Sequence, residues 1–142
     1  MSNLDDKALG VDLALPADPA APIPTTPTGD IALTSGRSNL LGALARRQTA
    51  ARTALLHRPE YGVGVLEQVE APNTPAGRGL LAARSRKNHL HDPRISEARV
   101  TVRPGLPGEA PPVLTPHAVT VSVDVTVRHD SSSATLSTAL ET

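Results

Sequence analysis

Hydrophobic and polar residues alternate along residues 119–127, where every second position is Val and the positions between are Thr, Ser, Asp and Thr. Because successive side chains of a strand point to opposite faces, this pattern predicts a strand with one buried and one polar face. Residues 98–103 alternate in the same way and predict a second strand, and Leu136, Thr138 and Leu140 indicate a last one. Such strands are typical of an antiparallel sheet that packs on helices.

Two other stretches have helical spacing. The first begins at a capping residue, Ser38 or Asn39, and runs for about three turns, with one apolar face formed by Leu40, Leu41, Leu44 and Gln48. In the second, Thr74 precedes Pro75, which is favoured at the first helical position, and the helix is expected to reach His89. The second helix is expected to bury Leu80, Leu81 and Leu90 and to have a basic exterior made of Arg78, Arg84, Arg86 and Lys87.

The segment between the two helices predicts shorter elements. Residues 54–57 suggest a short strand, and Val65, Leu66 and Val69 suggest one turn of helix. Tyr61, Gly62 and Gly64 bring two glycines beside the only aromatic residue of the chain, which indicates tight backbone bends. A Gly-x-Gly pair that lacks the third glycine and a preceding long apolar strand is weak evidence for phosphate binding, so we assign these three residues to packing.

Residues 1–29 contain five prolines among Ala, Thr and Asp, a composition that favours extended chain and cannot supply a core. They are interpreted as an arm that is either disordered or ordered along a partner, and residues 30–142 as the folded domain. The predicted fold class is α+β, with a small, mostly antiparallel sheet packed against two main helices and an extended proline-rich N-terminal arm.

The composition predicts a thin core. With one Tyr, one Met, no Phe and no Trp, the core must be made from Leu, Val, Ile and Ala. We therefore expect marginal stability as a monomer and a structure that is completed in an assembly. The absence of Cys rules out a disulfide framework, a thiolate metal site and a cysteine nucleophile.

Charge is balanced over the whole chain but unevenly distributed. Residues 1–30 hold one Lys against five Asp, whereas residues 37–103 hold twelve Arg and Lys. The basic middle leaves a nucleic-acid adaptor as an alternative, although stacking aromatics and a recognisable module are missing, so no nucleic-acid partner is expected. Acidic residues near the N-terminus and the lack of a membrane-spanning apolar run predict a soluble protein made in the cytoplasm, with no membrane insertion.

No constellation of residues supports catalysis, so we expect a protein that is not an enzyme and needs no cofactor or metal. The histidines are expected on the surface, and two of them, His89 and His91, would point to different faces of a helix; the others are His57, His117 and His129. A cell-wall glycoside hydrolase of lysozyme type stays as the alternative, because such an enzyme needs two carboxylates. The acids available for that chemistry are Glu60, Glu67, Glu70 and Asp92.

The second helix is expected to end in a rigid bend at Asp92-Pro93-Arg94. Pro93 disfavours helical geometry in the residue before it and cannot donate a backbone hydrogen bond. The charged groups of Asp92 and Arg94 would therefore stand where the chain turns into the first long strand. A rigid bend presents charged groups well, and its proximity to the basic exterior of the second helix favours a docking surface there.

Three stretches resemble the baseplate wedge proteins of contractile tails that are related to gene product 25 of large tailed phages, a family that includes TssE of type VI secretion. They are residues 39–47, residues 58–66 and residues 92–95. The hallmark of the family is Glu-Pro-Arg at the helix-to-strand junction, and this chain has Asp92-Pro93-Arg94 there. Residues 49–53 lack a glycine, where relatives often have a hairpin turn with Pro and Gly.

The resemblance implies a structural component of a contractile-tail baseplate, in a phage or an equivalent injection particle, assembled in the bacterial cytoplasm. In the family the Glu-Pro-Arg motif docks on the helical core bundle of the wedge. The resemblance therefore implies that Asp92, Pro93 and Arg94 form a partner-binding site, with charge-assisted contacts of Asp92 and Arg94. The protein would link the wedge to the first sheath ring and initiate sheath assembly, with the 119–127 strand or the last strand as the template for sheath strands. The implied partners are wedge core-bundle proteins and sheath subunits, and the N-terminal arm would reach tube or hub proteins.

Overall fold

Helices and strands follow one another along the chain without a regular alternation. The computed structural model describes residues 3–16, 20–68, 71–108 and 118–141. The elements are α1 (Asn3–Leu9), β1 (Val11–Leu13), β2 (Leu33–Ser35), α2 (Gly36–Thr49), a 3-10 helix (Val65–Gln68), α3 (Pro75–His89), β3 (Ile95–Pro104), β4 (Ala118–Val127) and β5 (Ser133–Glu141). This content confirms the predicted α+β class. The chain divides into two compact units, residues 1–45 and 46–142; the arm boundary predicted between residues 29 and 30 stays a prediction.

The first unit opens with a helix where extended chain was predicted. Helix α1 precedes the first proline, Pro16, so it keeps all of its backbone donors, and Lys7 in its last turn suits the negative end of the helix dipole. Gly10 ends the helix in the left-handed region, with φ +79°, and its N–H donates to the carbonyl of Asp6 at 2.8 Å. The prediction of extended backbone throughout the arm is therefore wrong for residues 3–9.

A two-stranded antiparallel ribbon follows, in which β1 pairs with β2 and Leu13 lies opposite Leu33. Helix α2 begins at Gly36, two to three residues before the predicted cap. Ser38 and Asn39 do not cap it, because both lie inside the helix. The Asn39 side-chain amide donates to the Leu9 carbonyl at 3.0 Å. Leu40 and Leu44 are fully buried, as predicted.

In the second unit, the predicted strand at residues 54–57 is wrong. The backbone there makes local turn bonds, from Ala54 N to Ala51 O at 3.3 Å and from Arg58 N to Leu55 O at 3.0 Å. Leu56 is 97 % exposed, so its hydrophobic side chain does not contribute to a core. The predicted turn of helix is confirmed over Val65–Gln68, and Val69 lies outside the described residues.

Helix α3 follows its predicted start, since the Thr74 hydroxyl accepts a hydrogen bond from Gly77 N at 3.1 Å and Pro75 is the first helical residue. Leu81 is buried, but Leu80 and Leu90 are 63 % and 38 % exposed, so the prediction is wrong for those two. The reason is geometric: at 3.6 residues per turn the face of Leu81 continues into polar residues, namely Ser85, Asn88 and His89, which are buried.

The sheet of the second unit has the antiparallel order β3-β4-β5, which confirms all three predicted strands. The alternating valines of β4 form the centre of its buried face, with Val121, Val123, Val125 and Val127 at most 1 % exposed. Helix α3 lies against β3, where Arg86 Nε donates to Ala98 O at 3.0 Å. Because β4 is paired on both sides, it is not a template for an added strand; in the described chain the sheet edges belong to β3 and β5.

A candidate docking site at the helix-to-strand turn

The turn between α3 and β3 is tightly wound. Helical hydrogen bonding continues past His89, since Leu90 N donates to Arg86 O at 3.1 Å and Asp92 N donates to His89 O at 3.0 Å. Pro93 has no N–H, and the next backbone bond is from Ile95 N to Asp92 O at 3.1 Å. The chain therefore leaves the helix within one turn and enters the strand at Ile95.

Asp92 and Arg94 form an ion pair with each other inside this turn. Arg94 Nε donates to Asp92 Oδ1 at 2.8 Å and Nη2 donates to Oδ2 at 2.6 Å, a bidentate arrangement, and Arg94 N also donates to Oδ1 at 3.1 Å. Asp92 is buried, with 4 % of its surface exposed. Burial alone would raise the pKa of Asp92, but the hydrogen bonds from Arg94 outweigh it, so the pKa lies below its usual value.

The three predicted site residues differ in how far they are exposed to solvent. The Asp92 carboxylate is turned inward and holds the bend together, whereas Pro93 is exposed and the Arg94 side chain is 22 % exposed. A partner would meet Pro93 and the outer part of Arg94 rather than the carboxylate. The role of the three residues in partner binding stays a prediction.

Sequence reasoning missed a second guanidinium at the turn. Arg128, directly after β4, donates from Nε to Pro93 O at 3.1 Å and from Nη2 to Ile95 O at 3.0 Å, and its backbone N donates to Arg94 O at 2.8 Å. Arg128 is exposed and thus adds positive charge to the surface of the turn. The only signal in the sequence was an arginine that ends the run of alternating valines.

A buried polar cluster joins Gln48, in the last turn of α2, to two residues of α3. Gln48 Oε1 accepts from Ser85 Oγ at 2.9 Å and lies 2.8 Å from His89 Nε2, which therefore carries the proton of the neutral ring in this network. His89 is fully buried, so the predicted surface location is wrong for it; His57, His91 and His129 are exposed, and His117 lies outside the described residues. Burial, assisted by the charge of Arg47 and opposed by that of Asp92, lowers the pKa of His89 to about 4.

The Tyr61–Gly64 stretch passes close to the backbone that follows α2. Gly62 and Gly64 are buried with φ of +98° and +67°. A Cβ at Gly62 would collide with the carbonyl of Ala51 and lie 2.7 Å from that of Ala50, so only glycine fits. The Tyr61 ring is half-buried under the Arg47 guanidinium, 4.7 Å from its centroid. Asn88 of α3 holds the stretch by donating from Nδ2 to Glu60 O at 2.7 Å and to Gly62 O at 3.1 Å.

The carboxylates weighed for glycoside hydrolysis have different surroundings in the described chain. Glu67 accepts from Arg52 N at 2.9 Å and from Arg52 Nε at 2.7 Å, and these bonds lower its pKa, whereas a general acid needs a raised one. The Asp92 carboxylate is occupied by its hydrogen bonds from Arg94, and Glu70 lies outside the described residues. The described residues contain no group of three or more His, Asp or Glu side chains placed to hold a metal ion, and none of the described helices is long and apolar enough to cross a membrane.

Comparison with known proteins gives a match at the level of the fold. No protein-family model and no curated protein matches the chain. A crystal structure at 1.44 Å of a protein from Geobacter sulfurreducens, described as a tail lysozyme, superimposes with a TM-score of 0.59 and 18 % sequence identity, over 78 % of this chain and 95 % of the other. At that identity the likeness shows a shared fold.

Proposed function

We propose that this protein is a non-enzymatic component of a contractile-tail baseplate that joins the wedge to the first sheath ring. The observation that carries the proposal is the shared fold with a tail protein over 78 % of the chain. It is supported by the position of Asp92-Pro93-Arg94 at the helix-to-strand turn, where the family resemblance expects a docking motif. In this proposal the protein works by positioning its neighbours, without a cofactor.

Docking on the wedge uses the exposed side of the turn. Pro93 offers a rigid apolar contact, while Arg94 and Arg128 offer guanidinium groups to carboxylates on the helical core bundle. The buried carboxylate of Asp92 fixes the orientation of Arg94 through the two bonds at 2.6 and 2.8 Å. A pre-oriented guanidinium loses little side-chain freedom on binding, which favours specific docking.

Sheath initiation uses an edge of the sheet. Strand β5 pairs with β4 along nine positions, from Ala118↔Glu141 to Thr126↔Ser133. Its other edge has no strand neighbour in the described chain, and an edge of this kind pairs readily with a strand from another chain. A sheath strand that adds to β5 would extend the sheet into the first sheath ring.

The test is co-assembly with the wedge partner and the sheath subunit, followed by imaging of the particles. Arg94→Ala alone would leave a buried carboxylate unpaired and destabilise the fold by about 3–5 kcal/mol. The double variant Asp92→Asn, Arg94→Gln removes both charges together, so we expect it to fold and yet to be lost from baseplates. Arg99→Gln, an exposed charge loss on β3, serves as the matched control and should be incorporated. Baseplates that contain the double variant at the wild-type level would refute docking through the turn.

A cell-wall glycoside hydrolase remains the alternative, favoured by the description of the Geobacter protein as a tail lysozyme. The pairing of Glu67 with Arg52 argues against it. Release of soluble fragments from purified peptidoglycan, abolished by Glu60→Gln or Glu67→Gln, would establish the hydrolase. An inert wild-type protein would eliminate it.

A further inference from the structure

A cleft of about 530 Å³ lies between the segment that follows α2 and the C-terminal half of α3. Asn88 of α3 ties its walls together by donating to Glu60 O and Gly62 O. The bond of 2.9 Å from Gly64 N to Ala50 O holds the segment that follows α2 in its folded path. The cleft is therefore preformed, and a ligand would not have to order its walls.

The Arg, Lys and Glu side chains that line the cleft carry one more positive charge than negative charge. Arg84 and Lys87 lie one turn apart on α3, a helix without any acidic residue, and Arg52 faces them from the other wall. The opposing acids are Glu67, which Arg52 already holds, and Glu60. Arg84 Nη1 is buried with no hydrogen-bond partner among the described residues, a state that costs free energy, and the charge of Arg84 acts on Glu67.

Two features of the same segment point to a binding surface. Thr53, which lines the cleft, has φ +60°, a left-handed conformation that is strained for a β-branched residue. Such strain concentrates at functional sites. Leu56, three residues further along the same segment, is 97 % exposed, so its large apolar side chain lies in water.

We propose that this cleft binds a carboxylate side chain of an acidic, amphipathic segment of a partner protein. Arg84 and Lys87 hold the carboxylate, and Leu56 contacts the apolar side of the segment. A peptide fits better than a nucleic acid, because Tyr61, the only aromatic residue of the chain on which a base could stack, has one face covered by Arg47. This inference does not rest on the proposed function.

The experiment is a titration of the full-length protein against a fluorescent peptide of about 14 residues built from Glu, Leu and Ala, and against its twin with Gln for Glu. We expect the Glu peptide to bind and the Gln twin to bind at least tenfold more weakly. Lys87→Glu changes an exposed side chain, keeps the fold, and should weaken the Glu peptide by about tenfold or more. Leu56→Ser should weaken both peptides.

The matched control is Arg103→Glu, the same change of charge at an exposed position on β3 outside the cleft, and it should bind like the wild type. Equal affinity for the two peptides, or undiminished binding by Lys87→Glu, would overturn the proposal. A labelled single-stranded DNA that binds more tightly than the Glu peptide and is lost in Lys87→Glu would also overturn it, since the cleft would then be a phosphate site.

Discussion

His89 and Asp92 are buried within one turn of each other, and both make the fold sensitive to acid through opposite chemistry. Asp92 is buried as an ionised carboxylate and His89 as a neutral ring. In each case the folded protein binds its proton less readily than the unfolded chain does. Both groups therefore contribute stability that falls as the pH is lowered, but in different windows.

His89 is responsible for the loss of stability in the higher of the two pH ranges. Its pKa is about 4 in the folded protein and 6.5 in the unfolded chain, so the unfolded chain takes up the proton first as the pH falls. The stability that the neutral ring provides is complete above pH 6.5 and is lost between pH 6.5 and 4, by about 3 kcal/mol in total. The stability that Asp92 contributes is lost at lower pH, below its ordinary pKa of 3.8. There the unfolded chain takes up the proton more readily than the folded protein does.

Urea unfolding between pH 4 and 7.5 measures this dependence. His89→Gln has no titrating ring, so its free energy of unfolding should depend much less on pH in that range. His91→Gln, which changes an exposed residue two positions away, should keep the wild-type slope. A His89→Gln protein that loses as much stability as the wild type between pH 6.5 and 4 would show that another group is responsible.

Among the secondary-structure elements, those with an uninterrupted local signal were predicted well. The valines of β4 and the Thr74-Pro75 start of α3 specify an element from within a few residues. The inward face of α3 was predicted less well, because its polar members are stabilised by partners distant in sequence. Ser85 and His89 both bond Gln48, 37 and 41 residues earlier in the chain, and hydropathy alone favours Leu80 instead.

The candidate site could also be predicted only in part, because its geometry depends on contacts as well as on local sequence. The position of the turn could be predicted from Pro93, but the inward direction of the Asp92 carboxylate could not. That direction depends on three hydrogen bonds from Arg94 and on the burial that α3 and β3 impose together. Thr53 is a further case: the chain bends there through a threonine at φ +60°, which no local preference predicts.

The whole molecule distributes its hydrophobic side chains unequally. In the first unit, large aliphatic residues that are 41–65 % exposed gather on and around the β1–β2 ribbon: Val11, Leu13, Leu15, Ile23, Ile31 and Leu33. An isolated two-stranded ribbon is marginally stable, and exposed aliphatic side chains on such a ribbon make it a candidate interaction site. The surface fits the expectation that the arm is completed by a partner in the assembled particle.

The double variant Leu13→Ser, Leu33→Ser tests this, because the two residues form one cross-strand pair on the ribbon. Both side chains are exposed, so the free energy of unfolding of the isolated protein should change by about 0.5 kcal/mol or less per site. Incorporation into co-assembled baseplates should nevertheless fall sharply, since the partner would have to cover two hydroxyl groups without satisfying them. Leu80→Ser, an equally polar change at a 63 % exposed position on α3, should be incorporated normally. If the ribbon variant enters particles as well as the Leu80 variant does, the apolar ribbon is not an interface.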